Sequence, residues 1–532
     1  MFRRRCFRFH LAYLLLLFAG VMLLPVIAAA DSAPAGESSH HASATWLVLG
    51  LIVLFILGLV QSARTYFLAR RMIRHQIDAP KPSLDQIQTL ARAQGRALPL
   101  IVIMVPARDE SAVIHNTLQR LGELDYPRDR FAVVVITDAR ERPSRNGLIT
   151  KAIAEQIAAR WNATLEAPFV HVVDVPECYS GRFGDASPTC ARSTKGRALN
   201  YALQYIQQDA RLSTADMLGV LDADGRMHRH ALREVAHLVL AKNERLVQGP
   251  VFQISNLPEV GLMGKAAGIE LSIYHLSTLS RQLMSGRDTA RFLAGTNYFI
   301  KPSLMVEVGG WDDTALVEDA ELGLRLYLQK RVKPAWLSCH EVEQTPPDCA
   351  TYLRQRQRWA LGHFQLLPII ARSNLPWFSK LRLRAKVLHS IFMCPFDVGL
   401  PIVSWVALFA GWAAEIPTEL RWVMLALMIG SIFVWDYFGR GARMLNRYAT
   451  VQMSRGQSWW LSLQFILAMP WLMALQAWPR MAAFFKYATG SCNQEWKKTT
   501  RTIERPVPLT EASENDVSGL LEDAASMDHI YG

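Results

Sequence analysis

The feature that most constrains this chain is where its apolar residues lie: long runs gather at both ends, and the middle reads as an ordinary water-soluble domain. Leu11 to Ile27 follows Arg3-Arg4-Arg5 and precedes Ala28-Ala29-Ala30, a pattern that fits either a signal peptide or a first transmembrane helix. A second run, from Trp46 to about Phe67, has roughly the 20 residues needed to cross a bilayer. It ends at Arg70-Arg71-Met72-Ile73-Arg74. Basic flanks stay on the cytosolic side, so both readings of the first run put residues after about 70 inside the cell. Three further runs, about 387–413, 419–438 and 459–478, predict more membrane helices, with Trp459, Trp460 and Trp478 at the ends of the last. The stretch from Arg505 to Gly532 is acidic, lacks periodicity, and is expected to be a disordered tail.

The formal charge is +12, from 58 basic and 46 acidic residues. Much of the basic excess sits beside apolar runs, as in Arg70-Arg71 and Lys497-Lys498, which marks topology rather than a nucleic-acid surface. No nucleic-acid-binding motif is present. The seven cysteines include no CxxC pair of the zinc type. Cys178 and Cys190 flank a Gly/Ser-rich loop, and in a cytosolic domain both are expected to be reduced.

The middle of the chain alternates strand-like and helix-like segments. Leu100 to Val105, Phe131 to Ile136, Phe169 to Val175 and Met217 to Leu221 read as strands; Ser111 to Leu121 and Gly196 to Gln208 read as helices. This alternation predicts a mostly parallel sheet in a layered α/β domain. Ligands in such sheets sit beyond the carboxyl ends of the strands, and the informative polar residues lie there.

Asp222-Ala223-Asp224 directly follows the fourth strand, so both carboxylates can reach one hard divalent cation such as magnesium, whose other positions take substrate phosphates. Alone, such a triplet is as consistent with an ordinary turn. Glu318-Asp319-Ala320-Glu321 opens a helix read as Ala320 to Leu328. Acids in a first turn also complement the helix dipole, which accounts for Glu318 and Glu321. Asp319 is the candidate to accept a proton from an attacking sugar hydroxyl, because the segment follows the glycine-punctuated Gly295-Thr296-Asn297 and Gly309-Gly310-Trp311. Gln355, Arg358 and Trp359 are three and four residues apart and share a helix face. An amide, a guanidinium and an indole suit sugar hydroxyls, a diphosphate and a sugar ring; an amphipathic helix at a membrane surface would use the same residues. Glu110 and Asp138 follow the first two strands. Lys195 stands at a helix start, poorly placed for the dipole unless an anionic phosphate offsets it.

In this order the motifs resemble the family-two membrane glycosyltransferases, the group of cellulose, hyaluronan, chitin and curdlan synthases and ceramide glucosyltransferase. The matching residues are Val105-Pro106-Ala107-Arg108-Asp109-Glu110, Asp138, Lys195-Gly196-Arg197-Ala198-Leu199-Asn200, Asp222-Ala223-Asp224, Gly295-Thr296-Asn297, Glu318-Asp319 and Gln355 to Trp359. The resemblance implies a GT-A-type (Rossmann-like) fold, cytosolic and flanked by transmembrane and interfacial helices, and an inverting single displacement. It implies Asp319, beside Glu318, as the catalytic pair with Asp319 the base. Pro106, Glu110, Asp138, Lys195 and Asp222 would bind the nucleotide. Asp224 with Asp222 would hold magnesium or manganese, and Gln355, Arg358 and Trp359 the acceptor end and diphosphate. Trp496-Lys497-Lys498-Thr499 resembles the gating segment of some synthases. The chain departs from the pattern at Val317, at Thr137-Asp138-Ala139-Arg140, and in a long loop over 178–192.

The expected organisation is a membrane region over 1–74 (helices about 11–29 and 46–68), a linker over 75–97 and a catalytic domain over 98–350. Interfacial helices follow over 351–385, transmembrane helices over 386–480, a basic cytosolic segment over 481–504, and the tail. The expected activity uses a nucleotide-diphosphate sugar, a UDP-sugar by the resemblance, to elongate an exported polysaccharide in a bacterial inner or plasma membrane. Accessory export subunits are possible partners; nucleic acid is not. Single transfer to a membrane lipid is the alternative, and an inactive scaffold the third.

Overall fold

The computed structural model describes residues 60–143, 149–163, 168–185, 192–389, 391, 422, 425, 429, 436–490 and 501–504. The expected features at 1–59, most of 387–435, 496–499 and the acidic tail lie outside the described residues. The chain divides into two compact units, one of 1–68, 391–444 and 454–478, the other of 69–390, 445–453 and 479–532.

The larger unit is built on a seven-stranded, mostly parallel sheet. Four parallel strands run β3 (Val170–Val175), β2 (Phe131–Asp138), β1 (Ile101–Pro106) and β4 (Met217–Val220). Beyond β4 lie β8 (Tyr298–Ile300), antiparallel to both neighbours, then β6 (Leu246–Gln248) and β9 (Ala335–Trp336), which pair in parallel. A small second sheet orders β5 (Arg226–Met227), β10 (Glu341–Glu343) and β7 (Val251–Gln253).

β1 and β2 are apolar along nearly their whole length because both faces of the sheet are covered. Ile101, Ile103 and Val105 of β1, with Val133 and Val135 of β2, join one core. That core is covered by α1 (Leu84–Ala93), α2 (Ile114–Gly122), α3 (Thr150–Asn162) and α5 (Ala231–Lys242). Val102, Met104, Val134 and Ile136 point the other way, under α4 (Lys195–Gln208), α7 (Pro302–Val308) and α8 (Glu318–Lys330). Truncating a fully buried residue such as Ile103 to Ala would cost about 2–5 kcal/mol. α6 (Leu262–Tyr274) and α9 (Cys349–Arg372) complete the described helices used below.

Two expectations change. Residues 75–97 are not merely a linker. α1 lies within them, capped by reciprocal bonds between Ser83 and Gln86, and it buries Ile87 and Ala91 on the core. Leu84, Ile87, Leu90 and Ala91 recur at helical spacing behind the Ser83–Gln86 capping box, a signal that the linker reading passes over. The run 459–478 does lie in a long helix, α10 (Arg455–Ala488), yet no helix among the described residues is long and apolar enough to cross a membrane. Cys178, Cys339 and Cys349 are free thiols.

Candidate active site

Asp222-Ala223-Asp224 emerges where β4 ends, at the edge of the sheet where ligands of such folds bind. Gly225 closes the turn, and only glycine fits: a Cβ there would lie 2.1 Å from Oε1 of Glu341. β5 leaves the turn at once and pairs antiparallel with β10, Glu341 opposite Met227. Alternate residues of a strand share a face, so β10 carries both Glu341 and Glu343 back to the turn. Carboxylate oxygens of Asp222, Asp224 and Glu343 lie within 4.8 Å of one another. Asp224 is buried, and its Oδ2 accepts the Gln344 backbone N–H at 3.0 Å. Thr296, in the flagged Gly-Thr-Asn stretch, ties the parts together. Its hydroxyl accepts from the Asp222 backbone N–H at 3.0 Å and donates to the Glu341 carboxylate at 2.8 Å.

Two cations face this cluster. Lys195, the first residue of α4, pairs with Asp222 and donates to the Gly295 carbonyl at 2.8 Å. Burial opposes its charge, but Asp222, Glu318 and Asp319 outweigh that and hold its pKa above the usual value, which also offsets its poor place at a helix start. Arg501 reaches in from the carboxy-terminal part of the chain, 2.8 Å from Asp224 and 3.6 Å from Glu110. Asp222 stays below the ordinary carboxylate range: burial works against it, and Lys195 and Arg501 prevail. Asp224 goes the other way, to about 6, because burial dominates even with Arg501 in contact. Glu343 rises to about 8 through burial and then through the charges of Asp222 and Asp224.

α8 forms a second wall. It begins at Glu318, two residues before the expected start. Gly295 adopts φ +80°, and a Cβ there would stand 3.2 Å from Asp319 Oδ2, so this glycine lets the backbone approach the candidate base. Burial raises Glu318 to about 7, aided by Asp319, and burial also raises Asp319. Glu321 instead pairs with Arg325 at 2.8 Å and serves the helix.

α9 supplies a third wall. Gln355, Arg358 and Trp359 line one cavity of about 500 Å³ together with Pro106, Glu110, Asp138, Lys195, Asp222, Glu318 and Asp319. Arg358 donates to the Leu316 carbonyl at 3.1 Å, within reach of the charges of Glu318, Asp319 and Asp222. Asp138 is the last residue of β2 rather than the one after it. Its carboxylate takes Arg197 at 3.0 Å, the Ser193 hydroxyl at 2.6 Å and the Arg140 backbone N–H at 3.0 Å. Asn200 is structural: buried, it bonds the Gly181 and Trp311 carbonyls, each at 2.8 Å.

Sequence reasoning missed Glu343, Glu341, Arg501 and the partner of Asp138, Arg197. The acid–apolar–acid alternation Glu341-Val342-Glu343 was the available signal for the first two. For a metal, the residues fit: Glu343 is buried, and its Oε1 has no hydrogen-bond partner among the described residues. Hard carboxylate oxygens are the ligands magnesium and manganese prefer.

The model of glycosyl transferase family group 2 matches residues 218–488, half of the chain, from the acidic turn through α9 and beyond. The chain belongs to this family of glycosyltransferases, and the sheet with its acidic turn after β4 is of the GT-A type. It is 27% identical over 310 residues to the probable glycosyltransferase YdaM of Bacillus subtilis, covering 57% of this chain and 63% of that one. It is 28% identical over 269 residues to the β-monoglucosyldiacylglycerol synthase of Synechocystis, covering 50% and 48%. It is 24% identical over 389 residues to glucomannan 4-β-mannosyltransferase 7 of Arabidopsis thaliana, covering 68% and 64%. The match spans less than two thirds of each relative's length.

Proposed function

We propose that this chain transfers a hexosyl group, with inversion, from a nucleotide-diphosphate sugar to an acceptor hydroxyl. The observation that carries the reading is the convergence of Asp222, Asp319, Arg358 and Trp359, from three separate elements, on one cavity, with Asp224 buried beside Asp222. The acceptor oxygen attacks the anomeric carbon as the bond to the diphosphate breaks, and its proton passes to Asp319. A carboxylate raised by burial is a better base than one in water. Lys195 and Arg358 present preorganised donors to charge developing on the diphosphate. Asp222 and Asp224 would hold a divalent cation, which when bound supplies further stabilisation of that charge.

The acceptor we favour is a growing polysaccharide, with Trp359 offering a flat face to a sugar ring; a relative named as a glucomannan mannosyltransferase is compatible with this. A second reading, single transfer to a membrane lipid, draws on the apolar wall of Leu271, Leu279 and Phe292 and on a relative named as a diacylglycerol-lipid synthase. Membrane association accompanies both. It is supported by the exposed Trp459, Trp460, Trp471 and Trp478 of α10, indoles being favoured at lipid interfaces. A screen of radiolabelled nucleotide sugars, with and without divalent metal, tests the reading. Metal-dependent diphosphate release with long product supports polysaccharide elongation; lipid-sized product alone selects the second reading. Absence of release from every donor screened would overturn both.

A further inference from the structure

Three carboxylates converge at the end of β4, but the motif in the sequence accounts for two. Glu343 comes from β10, 119 positions beyond Asp224, and reaches the turn only because β10 pairs with β5. It is 5% exposed, its Oε1 lacks a hydrogen-bond partner among the described residues, and one of its carboxylate oxygens belongs to the group formed with Asp222 and Asp224. A buried carboxylate oxygen left without a donor is costly, and a cation ligated by it would remove that cost. At ligand distances of about 2.0–2.1 Å, adjacent oxygens around magnesium stand about 3 Å apart and opposite ones about 4 Å, so a cation would draw the triad's oxygens inward from the 4.8 Å that bounds them.

The one positive group in contact with Asp224 among the described residues is Arg501. The residues after it are fastened to the catalytic unit. The Thr502 N–H donates to Gln344 Oε1 at 2.8 Å, and its carbonyl accepts from Gln344 Nε2 at 2.9 Å. Glu504 pairs with Arg226 at 2.8 Å. Gln344 is thus the hinge of both features: its backbone holds Asp224 and its side chain holds the strap. A guanidinium on Asp224 and a divalent cation in the triad are like charges at one place.

We infer that Glu343 is the third carboxylate ligand of the divalent cation, and that the cation and Arg501 compete for the triad. This rests on the proposed use of the acidic turn to hold a metal, not on the choice of sugar or acceptor. The experiment is Mn2+ titration of the full chain without nucleotide, followed by the electron paramagnetic resonance of free Mn2+. Glu343→Gln should weaken binding on the order of tenfold or more, as loss of a supporting group already can; unchanged affinity would overturn its role as ligand. Arg501→Gln should tighten binding several-fold; equal or weaker binding overturns the competition. Because either variant could lose fold, thermal melts in chelator and in excess Mn2+ accompany the titration. The metal-induced rise in Tm should be larger than wild type in Arg501→Gln and smaller in Glu343→Gln, and the reverse order counts against the inference. If every donor fails in transfer assays while Mn2+ binding follows this pattern, the proposed activity falls and the cation site stands. Transfer that proceeds while wild type binds no Mn2+ does the opposite.

Discussion

β2 and β4 flank β1, and an aspartate stands at the end of the one and two residues past the end of the other, yet the two ends are wired differently. Asp138 closes β2 with a full set of donors: Arg197, the Ser193 hydroxyl and a backbone N–H. Arg197 is itself fully buried. Past β4, Asp222, Asp224 and Glu343 crowd together with fewer donors than they can use, and Glu318 and Asp319 face the same cavity. A carboxylate whose lone pairs are spoken for acts as a strut. Carboxylates short of donors have capacity left for a proton, a cation or a substrate.

The comparison can be broken at several points. The largest expected effect is on chemistry: Asp319→Asn should lower kcat by about 10²–10⁴-fold, the usual worth of a positioned base, while nucleotide still binds. Near-normal turnover would remove Asp319 from that role. Next, Asp138→Asn should cost about 3–5 kcal/mol of folding stability, because it removes the counter-charge of the buried Arg197 guanidinium. Chemical denaturation that places the variant within 1 kcal/mol of wild type, about the error of such a difference, would show that β2 is not the closed end.

A third expectation concerns pH. Unfolded carboxylates titrate near 4, whereas Asp224, Glu318 and Glu343 hold their protons to about 6, 7 and 8. Those three groups bind protons in the folded chain that the unfolded one has released, whereas His228, His275 and His340, lowered by burial to about 4, 3 and 3, do the opposite below about pH 6.5; stability therefore falls as pH rises from about 6.5 to 8. Melts in chelator should show this decline, and Mn2+ should flatten it; a rise over that window would contradict the open-end picture. The smallest effect is Asp224→Asn in chelator, a change under about 1 kcal/mol, since lost attraction to Arg501 is offset by relief of carboxylate repulsion. A loss comparable to that of Asp138→Asn would make the two ends alike.

How legible each end was follows from the same wiring. β1, β2 and the first turn of α8 announce themselves locally, through continuous apolar runs and an acid pair at a helix start. The Gln355–Trp359 face follows from helical spacing alone. Glu343 offers only the three-residue alternation Glu341-Val342-Glu343, because its strand has three residues and its partner β5 two, and so short a period does not tell which turn it will meet. Arg501 is harder still: nothing around Thr499-Thr500-Arg501-Thr502 hints at an aspartate 277 positions earlier, and only tertiary contacts through Gln344 and Arg226 bring it there. Asp138 was visible as a strand-end acid, but whether such an acid is strut or reagent depends on what a distant helix offers it.

The helix that precedes β1 bears on how a shortened form of this protein should be cut for crystallisation. Starting at the first strand would strip Ile87 and Ala91 from the core, together with the bond from Gln94 to the Leu240 carbonyl and that from Lys81 to Ser338. It would bare an oily groove along α5, inviting aggregation during expression. A fragment beginning no later than Asp78, which also meets Tyr448, keeps that groove lined.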